Sequence, residues 1–232
     1  MPHYRLLDAF RASFEGKRYL HRNQTIGNAI ASHLYDDILA LNRSAKFVAR
    51  TTAGLDAVNV ANHIAGRKGR RGDGTFGEVV PGEAISYEAG FVVPRAAIAT
   101  LEIGTEVKIV AKAMIKQIDR VMSDINGQAL TFRNQTRDAI SVGIVGVNFS
   151  DVYTSYEGER SYPAGPPPSR EAPRAVERIE QIVRPNFDEL LILRFRATNT
   201  DPYPFQWVDE QATRQQYSAA ILRISKLFEQ RF

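Results

Sequence analysis

Residues 101–110 read LEIGTEVKIV. In an extended strand, successive side chains point to opposite faces. Leu101, Ile103, Thr105, Val107 and Ile109 then share one face, mostly apolar, while Glu102, Gly104, Glu106 and Lys108 share the other. This pattern predicts a strand with one buried face. Glu106 and Lys108, two residues apart, lie roughly 7 Å from each other along it. An acid and an amine at that spacing can converge on one small target. Carboxylate oxygens bind hard divalent cations, and a neighbouring ammonium can orient or deprotonate a water beside such a cation. The same residues also fit a strand with a solvated face and an ion pair, so the surrounding elements carry the decision.

Upstream, Ile26, Ile30, His33, Leu34, Ile38 and Leu41 recur at helical spacing after Asn23, a suitable N-cap. Lys46–Thr51 reads as a short extended piece and Leu55–Ile64 as a second helical segment ended by Gly66. Residues 66–82 read as a glycine-rich basic loop, and Ala84–Val93 and Ala97–Val110 as two strands separated by Pro94-Arg95. Downstream, Ala111, Met114, Ile115, Ile118, Val121, Met122 and Ile125 mark an amphipathic helix that Asn126-Gly127 should stop. Ile140–Phe149 is apolar on both faces, the signature of a central strand in a covered sheet. Residues 150–173, rich in Pro, Gly and Tyr, read as an excursion loop that could clamp a partner or simply be a surface excursion. Arg174–Val183 follows as a helix, Glu189–Ala197 as a strand, and residues 209–228 as a last helix with Tyr217, Ile221, Ile224, Leu227 and Phe228 inward. Tyr203, Phe205 and Trp207 are expected to pack that helix onto the sheet.

The bulk properties restrict the function classes. With 232 residues, 44% of them hydrophobic, the chain suits one domain with a sizeable core. Thirty basic against twenty-six acidic residues give a net charge of +4, and Arg67-Lys68-Gly69-Arg70-Arg71 is the densest positive run. No cysteine is present, which excludes disulfides and thiolate metal sites. The four histidines (His3, His21, His33, His63) are dispersed with no H-x-x-x-H pair, which argues against a zinc enzyme. The first residues lack a continuous apolar stretch and no segment approaches a membrane span, so a cytoplasmic protein is expected.

Helix, strands ending in Glu106-Val107-Lys108, helix, strand: in this order and in the E-x-K tripeptide, residues 25–197 resemble the PD-(D/E)xK nuclease superfamily. The resemblance implies an α/β fold with a restriction-endonuclease-like central mixed β-sheet flanked by helices, preceded by a helical segment and closed by a C-terminal helix. The nuclease-like core would span residues 25–197 of a single domain, with residues 198–232 as a helical extension. It implies a Mg²⁺-dependent DNA endonuclease, with Mn²⁺ as a substitute, acting on double-stranded DNA as a homodimer and leaving a 5′-phosphate. Glu106 and Lys108 match the motif directly. The second acid is open. Asp73 is the only aspartate between Asp56 and Asp119 and ranks first, although no proline precedes it. Glu83 and Glu88 follow, then Glu78. Glu102 would lie about 13 Å from Glu106 along the strand, too far to share an ion. Asp36 and Asp37 on the first long helix are further candidates that read more simply as solvated charges. Asp73, Glu106 and Lys108 are thus the expected catalytic residues, with Asp73 and Glu106 on the metal.

Arg67, Lys68, Arg70, Arg71, Lys112, Lys116 and Arg133 are the expected DNA contacts, because clustered cations bind phosphates without reading sequence. Gly72-Asp73-Gly74-Thr75-Phe76-Gly77-Glu78-Val79 also matches the kinase glycine loop, but no H-R-D or D-F-G accompanies it. A non-catalytic DNA-binding or assembly protein on the same sheet is the competing reading.

Overall fold

The stretch ISVGIVGVN, apolar at nearly every position, forms the central strand of a sheet covered on both faces. In the computed structural model, residues 3–20, 24–61, 63–64, 67–68, 72–157 and 159–232 are described. The elements begin with α1 (Arg5–Ala12), α2 (Gln24–Leu41), α3 (Ala45–Thr52), β1 (Asp56–Asn59), β2 (His63–Ile64), β3 (Arg67–Lys68), β4 (Gly74–Glu78) and β5 (Arg95–Ala96). There follow β6 (Ile103–Val110), α4 (Met114–Gln135), β7 (Ile140–Asn148), β8 (Thr154–Glu157) and β9 (Arg160–Pro163). The chain closes with α5 (Pro168–Ile182), β10 (Glu189–Ala197), β11 (Phe205–Trp207) and α6 (Glu210–Arg231). Seven strands join in the order β11-β10-β7-β6-β4-β1-β5. The β6–β7 and β7–β10 ladders are parallel and the β6–β4 and β4–β1 ladders antiparallel, so the sheet is mixed.

Helices α4 and α5 lie on one face and α1, α2, α3 and α6 on the other. Each face has its own core. Met114, Ile118, Met122 and Ile125 of α4 meet Val145 and Val147 of β7 on the first. On the second, Ile30, Leu34 and Ile38 of α2 and Ile221, Ile224 and Phe228 of α6 pack against Ile103, Ile140, Val142 and Ile144. The fold class expected from the sequence, a central mixed sheet flanked by helices with helical segments at both ends, is what the chain adopts. No helix among the described residues is long and apolar enough to cross a membrane.

Several local readings are corrected. Residues 46–51 are helical, not extended: Ser44 Oγ accepts the Phe47 N–H at 3.1 Å as an N-cap, and Phe47 stacks on Phe76 and meets Phe228 edge-on. The 55–64 segment contains strand β1, fully buried between β4 and β5, rather than a helix. Tertiary pairing outweighs its weak helical pattern. The supposed loop at 66–82 contains β4, a buried strand paired on both edges, so the kinase-like glycine pattern lies partly inside the sheet. Residues 84–93 are mostly irregular, with a bridge between Ser86 and Arg95 and the Val92 and Val93 N–H groups held by Asp36, and past the two-residue β5 the strand expected over 97–110 starts only at Ile103.

Helix α4 runs through Asn126-Gly127 to Gln135, because Gln128, Ala129 and Phe132 continue its buried stripe past an exposed glycine. A helix-interior glycine costs about 1 kcal/mol, less than burial of one large apolar side chain returns. Residues 150–173 are not a plain loop: they hold the β8–β9 hairpin and the first turns of α5. Phe205 and Trp207 do pack, but chiefly against Phe10 of α1 and, for Phe205, Phe195 of β10.

Candidate active site

Strand β6 is paired on both sides only at its start. Its ladder with β4 covers Ile103, Thr105 and the glycine between them, ending at Thr105 opposite Gly74, whereas its ladder with β7 continues to Val110. The sheet therefore splits at Glu106. Gly72 makes the approach to this split, with φ +70, a left-handed conformation that favours glycine. The Asp73 N–H donates to Thr105 O at 3.2 Å, and Asp73 Oδ2 accepts the Val107 N–H at 2.8 Å. A side-chain carboxylate thus replaces the missing strand neighbour.

Glu106 and Lys108 point to the face covered by α4, where Phe132 packs directly over Gly104. That face is not solvated: Glu106 is 6% exposed. Leu101, assigned from alternation to the opposite face, sits instead with Ile98, Phe132 and Ala139, because the regular strand has not begun there. Lys108 Nζ donates to Glu106 Oε1 in a close ion pair.

Asp73, Glu106 and Lys108 act on one another electrostatically. Burial pushes the Glu106 carboxyl up to about 7, and the Asp73 charge adds to this while Lys108 opposes it. Burial works against the Lys108 ammonium, but the Glu106 carboxylate outweighs it, helped by Asp73 and Asp124, and holds its pKa above the ordinary value. Asp124, an exposed residue of α4, acts on both groups. Its part was not legible in the sequence, since it depends on how α4 docks.

Burial and, after it, the Asp73 charge disfavour ionisation of Glu106, and a divalent cation held by these carboxylates would relieve that cost. Mg²⁺ typically keeps several waters and takes only one or two protein carboxylates, so Asp73 and Glu106 fit it. Among the described residues no group of three or more His, Asp or Glu side chains gathers as a richer ligand set.

The other candidate acids are occupied elsewhere. Glu78 accepts from Thr100 Oγ1 at 2.8 Å, Glu88 faces Arg95 at 3.3 Å, and Glu83 is exposed. Glu102 pairs with Arg50, which also bridges to Asp56. Asp36 and Asp37 are not solvated charges but buried structural groups. Asp36 accepts the N–H groups of Val92 and Val93, both at 2.9 Å, and Asp37 accepts those of Arg5 and Leu6, the unsatisfied donors at the start of α1.

The expected DNA contacts are scattered. Arg67 and Lys68 form β3 of the small β2–β3 hairpin, while Arg70 and Arg71 lie outside the described residues. Lys112 is drawn to the β8–β9 hairpin, its Nζ donating to Ser155 Oγ. Lys116 and Arg133 are exposed at opposite ends of α4, about 26 Å apart along the helix axis. No protein-family model matches the chain, and no curated protein matches its sequence.

Proposed function

We propose that the protein is a Mg²⁺-dependent endonuclease of the PD-(D/E)xK type, hydrolysing phosphodiester bonds in double-stranded DNA as a cytoplasmic restriction or other defence enzyme, and working as a homodimer. One observation carries the reading. Asp73, from a separate strand approach, reaches the N–H of Val107, the residue between Glu106 and Lys108, where β4 leaves β6, and its charge acts on both of those side chains. The E-x-K tripeptide alone could be an internal ion pair; a second acid at the same split supports a metal centre.

Asp73 and Glu106 would hold the cation. When bound, it would polarise the scissile phosphate and lower the pKa of a water it carries. Glu106, pushed up to about 7, is in part protonated near neutrality and must release that proton to serve as a ligand. Lys108, cationic and half-buried, would turn toward the water or toward the negative charge that develops on phosphorus, as its bond to Glu106 yields to the metal. The exposed cations Lys116 and Arg133 would contact phosphates along the backbone.

Plasmid DNA incubated with Mg²⁺ and with EDTA tests this directly. Metal-dependent cleavage, reduced at least about 100-fold in Glu106→Ala and in Lys108→Ala, is expected. Binding without cutting, unaffected by those changes, would instead identify a non-catalytic DNA-binding protein on the same fold. RNA offered in the same assay distinguishes the nucleic acid used.

A further inference from the structure

Beyond β5 the sheet has one more extended piece. The carbonyls of Pro94 and Ala96 accept N–H groups of Val58 and Val60 at 2.9 and 3.0 Å, so the Arg95 backbone faces away from β1. There Ser86 and Arg95 exchange both backbone hydrogen bonds, at 2.9 and 2.8 Å, as a hydrogen-bonded pair of an antiparallel ladder does. In such a ladder the residues flanking Ser86 turn their N–H and C=O groups the other way, out of the sheet. Neither the Ile85 nor the Tyr87 N–H has a partner among the described residues, and all of residues 81–90 are exposed.

This edge is also apolar. Ile85 is 38% and Tyr87 66% exposed, and Leu55, Val60 and Val92 on adjoining segments are exposed as well. Ile85 lies against the turn after α3, where a methyl group on Gly54 would stand 2.8 Å from its Cδ1. Five of the ten large exposed apolar side chains among the described residues thus fall between positions 55 and 92, which singles out this edge as a contact surface. From Glu83 to Gly90 no lysine or proline blocks strand pairing, and the only charges are Glu83 and Glu88.

The stretch Ala84-Ile85-Ser86-Tyr87-Glu88 matches a second copy of itself. With a two-fold axis at Ser86, antiparallel pairing sets Ile85 opposite Tyr87 of the second copy, and each such pair exchanges both of its outward hydrogen bonds. A β-branched side chain then meets an aromatic one. Glu88 falls opposite Ala84 and Glu83 opposite Ala89, so no carboxylate directly faces another. We propose that two copies of the chain join along this edge, by antiparallel strand pairing about a two-fold axis at Ser86, so that one sheet runs through the dimer. The match belongs to the segment itself, which favours a second copy over a foreign extended peptide. The inference rests on the homodimer of the nuclease reading and names its contact.

The test is the mass of the full chain in solution, by light scattering over a concentration series, without DNA or metal. A reversible dimer is expected. Tyr87→Pro deletes one outward donor per copy and breaks no backbone hydrogen bond within a single chain. It should weaken association about tenfold or more with an unchanged circular dichroism spectrum. Ser86→Cys reports the register, because the two positions would form a non-hydrogen-bonded pair with Cα atoms about 4.5 Å apart, within disulfide reach. The chain itself has no cysteine, so oxidation of this variant should give a covalent dimer, whereas Tyr162→Cys on the exposed β9 should not. Three results would overturn the inference: a monomeric parent, an undiminished dimer in Tyr87→Pro, or no more crosslinking at position 86 than at position 162. A dimer built on another surface removes this contact and leaves the nuclease reading standing. Crosslinking at position 86 in a protein that does not cleave DNA keeps the contact and removes the nuclease.

Discussion

Gly27 of α2 and Asp73 at the sheet split are in such close register that a methyl group on Gly27 would stand 2.5 Å from Asp73 Oδ1. The helix backbone is the surface against which the proposed metal ligand rests. Elsewhere in a helix, Gly→Ala stabilises by about 1 kcal/mol. Here the extra carbon must displace the carboxylate. Gly27→Ala is expected to keep the fold, as read by circular dichroism, while Mg²⁺-dependent cleavage falls at least about tenfold. Full activity in that variant would show that Asp73 is not held for the reaction.

Glu106 makes a prediction with a definite sign. Its carboxyl is raised from 4.5 to about 7 by burial and by Asp73, so the folded state binds this proton more tightly than the unfolded chain does. The associated stability is therefore fully present below pH 4.5 and lost as pH rises through about 7. Glu106→Gln removes the ionisation. It should raise the melting temperature at pH 8 by roughly 2–6 °C and change it little at pH 4, in the absence of metal. Adding Mg²⁺ at pH 8 should stabilise the parent and leave the variant unmoved.

Arg50 stands between two buried acids. Its Nε lies 2.6 Å from Asp56 Oδ2 and its Nη2 lies 2.7 Å from Glu102 Oε1. Burial raises Glu102 to about 8, with Asp56 adding to the rise and Arg50 opposing it. Arg50→Met leaves both carboxylates without their cation and should cost about 3 kcal/mol in urea unfolding at pH 8. Part of that loss should return on acidification, as Glu102 takes up its proton. A cost independent of pH would mean that packing, not charge, is what Arg50 contributes.

Tyr217 of α6 ties the last helix to the first two. Its hydroxyl donates to Asp37 Oδ2 at 2.7 Å, and the same carboxylate accepts the first N–H groups of α1. Tyr217→Phe removes one donor from a buried acid and should destabilise by about 1–3 kcal/mol. Hydrogen exchange is expected to accelerate at Arg5 and Leu6 as well as near position 217. An effect confined to α6 would show that the bridge is not shared.

The periodicity of α2, α4 and α6 and the doubly apolar run of β7 were readable in the residues themselves, because each buries a repeating stripe whatever its neighbours are. The tripeptide Glu106-Val107-Lys108 was equally legible as two charges on one face of a strand. Strands β1 and β4 were not. Both are short and carry helical or glycine-rich sequences, and they are strands because partners on either side satisfy their backbone groups. In the sequence Asp73 stands out only as the one aspartate in range; what brings its carboxylate to the Val107 N–H is the end of the β4–β6 ladder and the close passage of Gly27. The influence of Asp124 on Glu106 and Lys108 comes from helix docking, which leaves no local pattern. Side-chain alternation and helical stripes are properties of a single segment, so composition and order suffice to read them. Whether two charges from distant segments meet depends on where a ladder stops and how closely two backbones pass, which only the assembled sheet and its helices decide.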